Sequence, residues 1–157
     1  MINSALPTPY RAIDGSYAIV YLNGLSKLEI LDDLLKNSLI TLVSSSVSSQ
    51  SVLLTIPSVI DVCDCATTKF DHFDLTLESV TALRETSYYA KTLITEDESI
   101  LKLQKSLDSL GLEVLSMEQY FEKVNRQIKA RDEDATLYSS LTKTALPDWV
   151  GKDTVEF

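Results

Sequence analysis

The chain has 157 residues and a formal net charge of −9, from 14 basic and 23 acidic side chains. That length suits one ordinary domain that folds without staples, and a pI near 4.5 argues against broad, sequence-independent binding to duplex nucleic acid, which depends on neutralising phosphates. No apolar run approaches a membrane span, and the opening MINSALPTPYRAID lacks the basic and apolar regions of a signal peptide. Cys63 and Cys65 are too few for a disulfide framework, so an intracellular setting, cytoplasmic or nuclear, is expected.

Pro7 and Pro9 leave room only for a short early strand, and Ala12 and Ile13 then lead to Asp14-Gly15-Ser16. Tyr17 to Leu22 is an apolar run that fits either a strand or the first turns of a buried helix; periodicity alone does not separate the two. Ser26 and Glu29 have capping-box spacing, and Leu25, Leu28, Leu31, Leu34 and Leu35 form a helical stripe ending near Asn37. Leu39 to Val43 has the branched, apolar character of a buried strand and runs into the serine-rich segment 44–51. Val52 to Ile56 fits another short strand, stopped at Pro57, and 64–75 reads as a polar loop. Thr76 then has the character of an N-cap, with Leu77, Val80, Leu83 and Tyr88 on a helix that reaches Tyr89-Ala90.

The stretch 92–121 carries the clearest pattern. Leu93 and Ile94 read as a strand; Thr95 and Glu98 have capping-box spacing; and Ile100, Leu103, Leu107 and Leu110 predict one helix, stopped by Gly111 as a left-handed cap. Leu112, Val114 and Leu115 read as a further strand, and Ser116 with Gln119 as a second capping box. The helix that follows buries Met117, Tyr120, Phe121, Val124 and Ile128. Short buried strands alternating with helices imply a parallel sheet. Residues 1–131 are therefore expected to form one α/β domain. Residues 132–157, with Pro147 and Trp149 and no sustained periodicity, read as a C-terminal tail that packs on the domain or a partner. Basic residues gather between Lys91 and Arg131, and Lys123, Arg126 and Lys129, together with Trp149, are the expected partner-binding surface.

In a parallel sheet ligands bind beyond the carboxyl ends of the strands. If Asp14 and Asp97 end two strands there and Glu78 opens a neighbouring helix, three carboxylates converge, an arrangement that is costly without a cation among them. Oxygen ligands with room for water suit Mg²⁺ or Mn²⁺, which promote phosphodiester hydrolysis by activating water and clamping the leaving oxygen. Asp74 competes with Glu78 for the third place. Each acid also has a plainer reading: Asp14-Gly15 as a turn, Glu78 and Asp97 as charges favoured at helix N-termini. Cys63, Cys65 and His72 have the wrong spacing and number for a zinc site. The single histidine has no nucleophile-elbow glycines near it. The absence of glycine-rich phosphate loops leaves no nucleotide cofactor to expect.

In three places the chain resembles the PIN-domain ribonucleases. Ile13-Asp14-Gly15-Ser16 is similar to that family's first strand ending in Asp; Val43-Ser44-Ser45-Ser46-Val47 with Gln50 to its second strand and the V-x-x-E that follows; and Leu93-Ile94-Thr95-Glu96-Asp97 with Gly111 to Leu115 to its closing hydrophobic-T-x-D and final strand. The resemblance spans Ala12 to Val124 and implies a three-layer α/β/α sandwich with a central, mostly parallel sheet. It also implies an acidic site that cuts single-stranded RNA with Mg²⁺ or Mn²⁺. Asp14, Glu78 and Asp97 would then be the catalytic metal ligands, with Ser16, Gln50 and Thr95 in support. Gln50 stands where the family has an acid, and such a reduced site also fits a catalytically inactive PIN-like adapter that binds a protein partner in an RNA-processing complex.

Overall fold

The structure is a computed structural model of the chain, and it describes residues 8–13, 17–21, 28–47 and 68–156. The run that periodicity left undecided is a strand, β1 (Ala18–Val20), with all its residues buried. It is followed by α1 (Leu28–Lys36), β2 (Leu42–Ser44), α2 (Leu77–Tyr89) and β3 (Thr92–Ile94). Then come two short helices, α3 (Glu98–Leu101) and α4 (Gln104–Ser109), the strand β4 (Glu113–Leu115) and the long helix α5 (Met117–Thr142).

Among the described residues the strands form a four-stranded, all-parallel sheet in the order β2-β1-β3-β4. Ile19 stands opposite Val43 on one side and Leu93 on the other, and Leu93 opposite Val114. Because successive side chains of a strand point to opposite faces, the sheet feeds two apolar clusters. Ala18, Val20 and Ile94 join Leu31 and Leu34 of α1 and Tyr120, Phe121, Val124 and Ile128 of α5. Ile19, Tyr21, Leu93 and Val114 join Val80 and Leu83 of α2, Ile100 of α3 and Leu107 of α4. Helices thus lie on both faces, which is compatible with the expected three-layer sandwich and explains why the strands read as unbroken apolar runs.

Helix ends follow local chemistry. Thr76 caps α2 by accepting from the Ser79 N–H, and Ser116 with Gln119 forms the expected capping box at the start of α5. At Gly111 (φ +84) the expected left-handed stop is present: the Leu112 N–H donates to the Leu107 carbonyl and the Gly111 N–H to that of Asp108. The same pair of bonds closes α1, from Leu39 to Leu34 and from Ser38 to Leu35, with Ser38 in the left-handed region at φ 57.

Four expectations need correction. The predicted single helix up to Leu110 is broken into α3 and α4, where the Leu103 N–H bonds back three residues to Ile100 and tightens the chain; Ile100 and Leu107 both stay fully buried. Its cap is Asp97, whose carboxylate accepts the Ser99 N–H, and not Thr95. On α2, Leu77 and Tyr88 are exposed at 76% and 65%; the buried face is Ser79, Val80, Ala82, Leu83, Glu85 and Thr86. Finally, α5 continues to Thr142 instead of fading after Arg131. Beyond Ile128 it buries only Ala135, so hydrophobic periodicity could not reveal it.

Candidate functional site

The sheet order reverses between β1 and β3, and in open parallel sheets the crevice for a ligand lies beyond the carboxyl ends of the strands at such a reversal. Tyr21 continues β1 there, its N–H donating to the Ile94 carbonyl at 3.0 Å, and Thr95, Glu96 and Asp97 continue β3. The Ser45 N–H donates to the Val20 carbonyl at 2.9 Å, so the start of the serine-rich segment shares this edge with Asp97, as expected for parallel strands.

Asp97 is half-buried and its carboxylate is engaged on both sides. Oδ1 accepts the Ser99 N–H at 2.9 Å, and Oδ2 accepts the Ser79 hydroxyl at 3.0 Å. Ser79 is buried, and its Oγ in turn accepts from the Thr76 hydroxyl at 3.0 Å. Thr95 is fully buried and accepts the Asp97 N–H at 3.1 Å. A chain of hydroxyls therefore runs from Thr76 through Ser79 to Asp97 and ties the N-terminus of α2 to the turn after β3. Glu96 points the other way, accepting the Met117 N–H at 2.9 Å, where a carboxylate is favoured by the amino end of α5. Glu78 occupies the exposed first turn of α2, next to Ser79.

Glu85 was not singled out by sequence reasoning. Only 1% exposed, it offers both carboxylate oxygens to the Ser46 N–H, at 3.2 and 3.3 Å, so α2 is pinned to the chain leaving β2. Burial pushes its carboxyl above the ordinary value, and the bonds from Ser46 pull it back in part. The signal was available: Glu85 lies three residues after Ala82, inside the small-residue face of α2.

The expected three-acid cluster is only partly open to comparison. Asp14, Ser16 and Gln50 lie outside the described residues, as do Cys63 and Cys65. Among the described residues the first strand is β1, which begins at Ala18, after Asp14 in the chain, and ends at Val20. Ile13 and Ala18 donate to the carbonyls of Leu39 and Thr41, ahead of β2, so the described residues flanking Asp14 lie at the amino end of the sheet. Among the described residues no three of His, Cys, Asp and Glu gather closely enough to hold a metal ion. Glu78 and Asp97 by themselves, without Asp14, do not make up the expected ligand set for Mg²⁺ or Mn²⁺. His72 is exposed, with its ring 4.1 Å from that of Phe73.

The residues expected to meet a partner lie on or against α5. Lys123 is paired with Glu113 at 2.6 Å. Arg126 and Lys129 are exposed along an open depression shared with Asp132 and Glu133. The Trp149 ring lies under the Arg131 guanidinium, 4.4 Å from centroid to Cζ. Among the described residues no helix is long and apolar enough to cross a membrane.

Comparison of the chain with protein-family models, curated proteins and solved structures finds no match.

Proposed function

We propose that this chain is a PIN-like α/β module of RNA processing or decay that works by binding a protein partner and does not cut RNA. The observation that carries this reading is the state of Asp97. Its two oxygens serve as a helix cap and as the acceptor for a buried serine, which is structural employment at the place where a nuclease needs a free metal ligand. The all-parallel order β2-β1-β3-β4, with Asp97 at the reversal, supports the PIN-like part of the reading. Incubation of the full chain with single-stranded RNA and Mn²⁺ tests it. The expected result is no cleavage beyond that of Asp97→Asn; Mn²⁺-dependent cleavage that Asp97→Asn abolishes overturns it.

The second reading, a Mg²⁺- or Mn²⁺-dependent single-strand endoribonuclease, is favoured by one feature. Glu78 sits on an exposed helix turn whose next residue touches Asp97, so two of the three expected acids approach one edge. The same assay decides between the two.

A further inference from the structure

The segment after α5 carries no regular secondary structure from Thr144 to Pro147 or from Asp153 to Glu156, yet it returns along that helix and is held there by side chains at a few points. Asn125 grips the backbone of Val155 on both sides: its amide donates to the Val155 carbonyl at 2.8 Å, and its oxygen accepts the Val155 N–H at 2.9 Å. The Val155 side chain packs against the apolar cluster beneath α5. Two residues earlier, Asp153 is 8% exposed and meets two guanidiniums. Arg11 holds it as a fork, Nε to Oδ2 at 3.0 Å and Nη2 to Oδ1 at 2.6 Å, and Arg131 Nη1 stands 3.1 Å from Oδ2. Asp132 orients Arg131 through Nε and Nη2 while accepting the Gly151 N–H.

These contacts have the form of peptide recognition. A side-chain amide reads the backbone of an extended residue without regard to its identity, a paired-arginine pocket selects a carboxylate with bidentate geometry, and an apolar seat two residues on selects an aliphatic side chain. The neighbours of the two anchors, Lys152, Thr154 and Glu156, are exposed. A segment held by so few buried groups opens locally at far less cost than the sheet. When it leaves, Arg11 loses its carboxylate and Arg131 keeps only that of Asp132, in a protein whose net charge is −9.

We infer that the surface formed by Arg11, Asn125 and Arg131 is a peptide-docking site for extended segments bearing an acidic residue two positions before an aliphatic one. The chain's own Asp153-Thr154-Val155 fills it in cis and so restrains access by a partner carrying the same pattern. The inference stands on these contacts alone and does not depend on the PIN-like reading.

Two measurements on the full chain test it. In amide hydrogen exchange of the native protein, the Val155 N–H is expected to exchange by local opening, far faster than the Leu93 N–H of the central sheet. Equal rates, set by global unfolding, would make the segment an integral part of the fold and overturn the inference. The second uses a fluorescent peptide of residues 148–156. The full-length Asp153→Asn/Val155→Ser variant, its occupant weakened, is expected to bind this peptide at least about tenfold more tightly than the wild type does. Asn in place of the peptide's Asp, which keeps one acceptor oxygen but gives up the charge and the second oxygen, is expected to cost at least about tenfold. Equal binding by variant and wild type, or indifference to the peptide's Asp, refutes the assignment.

Discussion

Asp97 separates a structural tie from a metal ligand because the two roles give opposite signs in a stability measurement. Asp97→Ala removes the cap of α3, which costs about 1 kcal/mol. It also leaves the hydroxyl of Ser79, a residue only 2% exposed, without its acceptor, at about 1–3 kcal/mol. The expected loss is therefore about 2–4 kcal/mol, a large share of the stability of a typical domain but not all of it. Asp97→Asn keeps an equally good cap oxygen and disturbs mainly the bond from Ser79, so about 1 kcal/mol is expected. Had Asp97 belonged to a set of carboxylates held together for a cation, neutralising it would relieve repulsion and stabilise the metal-free protein. The assay is urea unfolding after chelation, for the wild type, Asp97→Asn, Asp97→Ala, Ser79→Ala and the Ser79→Ala/Asp97→Ala pair. The cycle is expected to show a coupling of about 1 kcal/mol, as for residues in direct contact. An Asp97→Asn protein more stable than the wild type, or a coupling of zero, would refute the reasoning.

Further expectations follow from the same structure. Burial raises the Glu85 carboxyl, so its contribution to stability is complete below the ordinary carboxylate value and is lost as pH rises through the folded value. Glu85→Gln should then be more stable than the wild type at neutral pH and lose that advantage near pH 4, where the unfolded carboxyl also takes up its proton, as urea midpoints at both pH values would show. Asp153 behaves in the opposite sense. Burial pushes its carboxyl up, but Arg11 and Arg131 together more than offset this and hold it below the ordinary value. Its contribution is present at neutral pH and lost on acidification, and Asp153→Asn should remove that acid limb from the stability profile. Gly111→Ala meets no atom within 4 Å, so its cost is purely that of φ +84, about 1–2 kcal/mol; Ser38→Gly at φ 57 should stabilise by up to about 1 kcal/mol, both readable from thermal unfolding. Leu93→Ala in the fully buried central strand should cost about 2–5 kcal/mol in urea unfolding; a loss under about 1 kcal/mol would contradict the described core.

What could be read without coordinates was whatever depends on neighbours in the chain. The caps at Thr76 and Ser116, the stop at Gly111 and the short apolar strands 92–94 and 113–115 each arise from contacts within a few residues, or from the need to bury both faces of a strand. Contacts between distant residues were decided only by the fold. Ala18 to Val20 became a strand because β2 and β3 flank it, and that placed the carboxyl end of β1 at Val20. Ser79 meets Asp97 across 18 positions, Glu85 meets Ser46 across 39, and Arg11 meets Asp153 across 142. A carboxylate's part as cap, buried brace or ligand is set by which donors the fold carries to it, and those donors come from elements that local sequence does not connect.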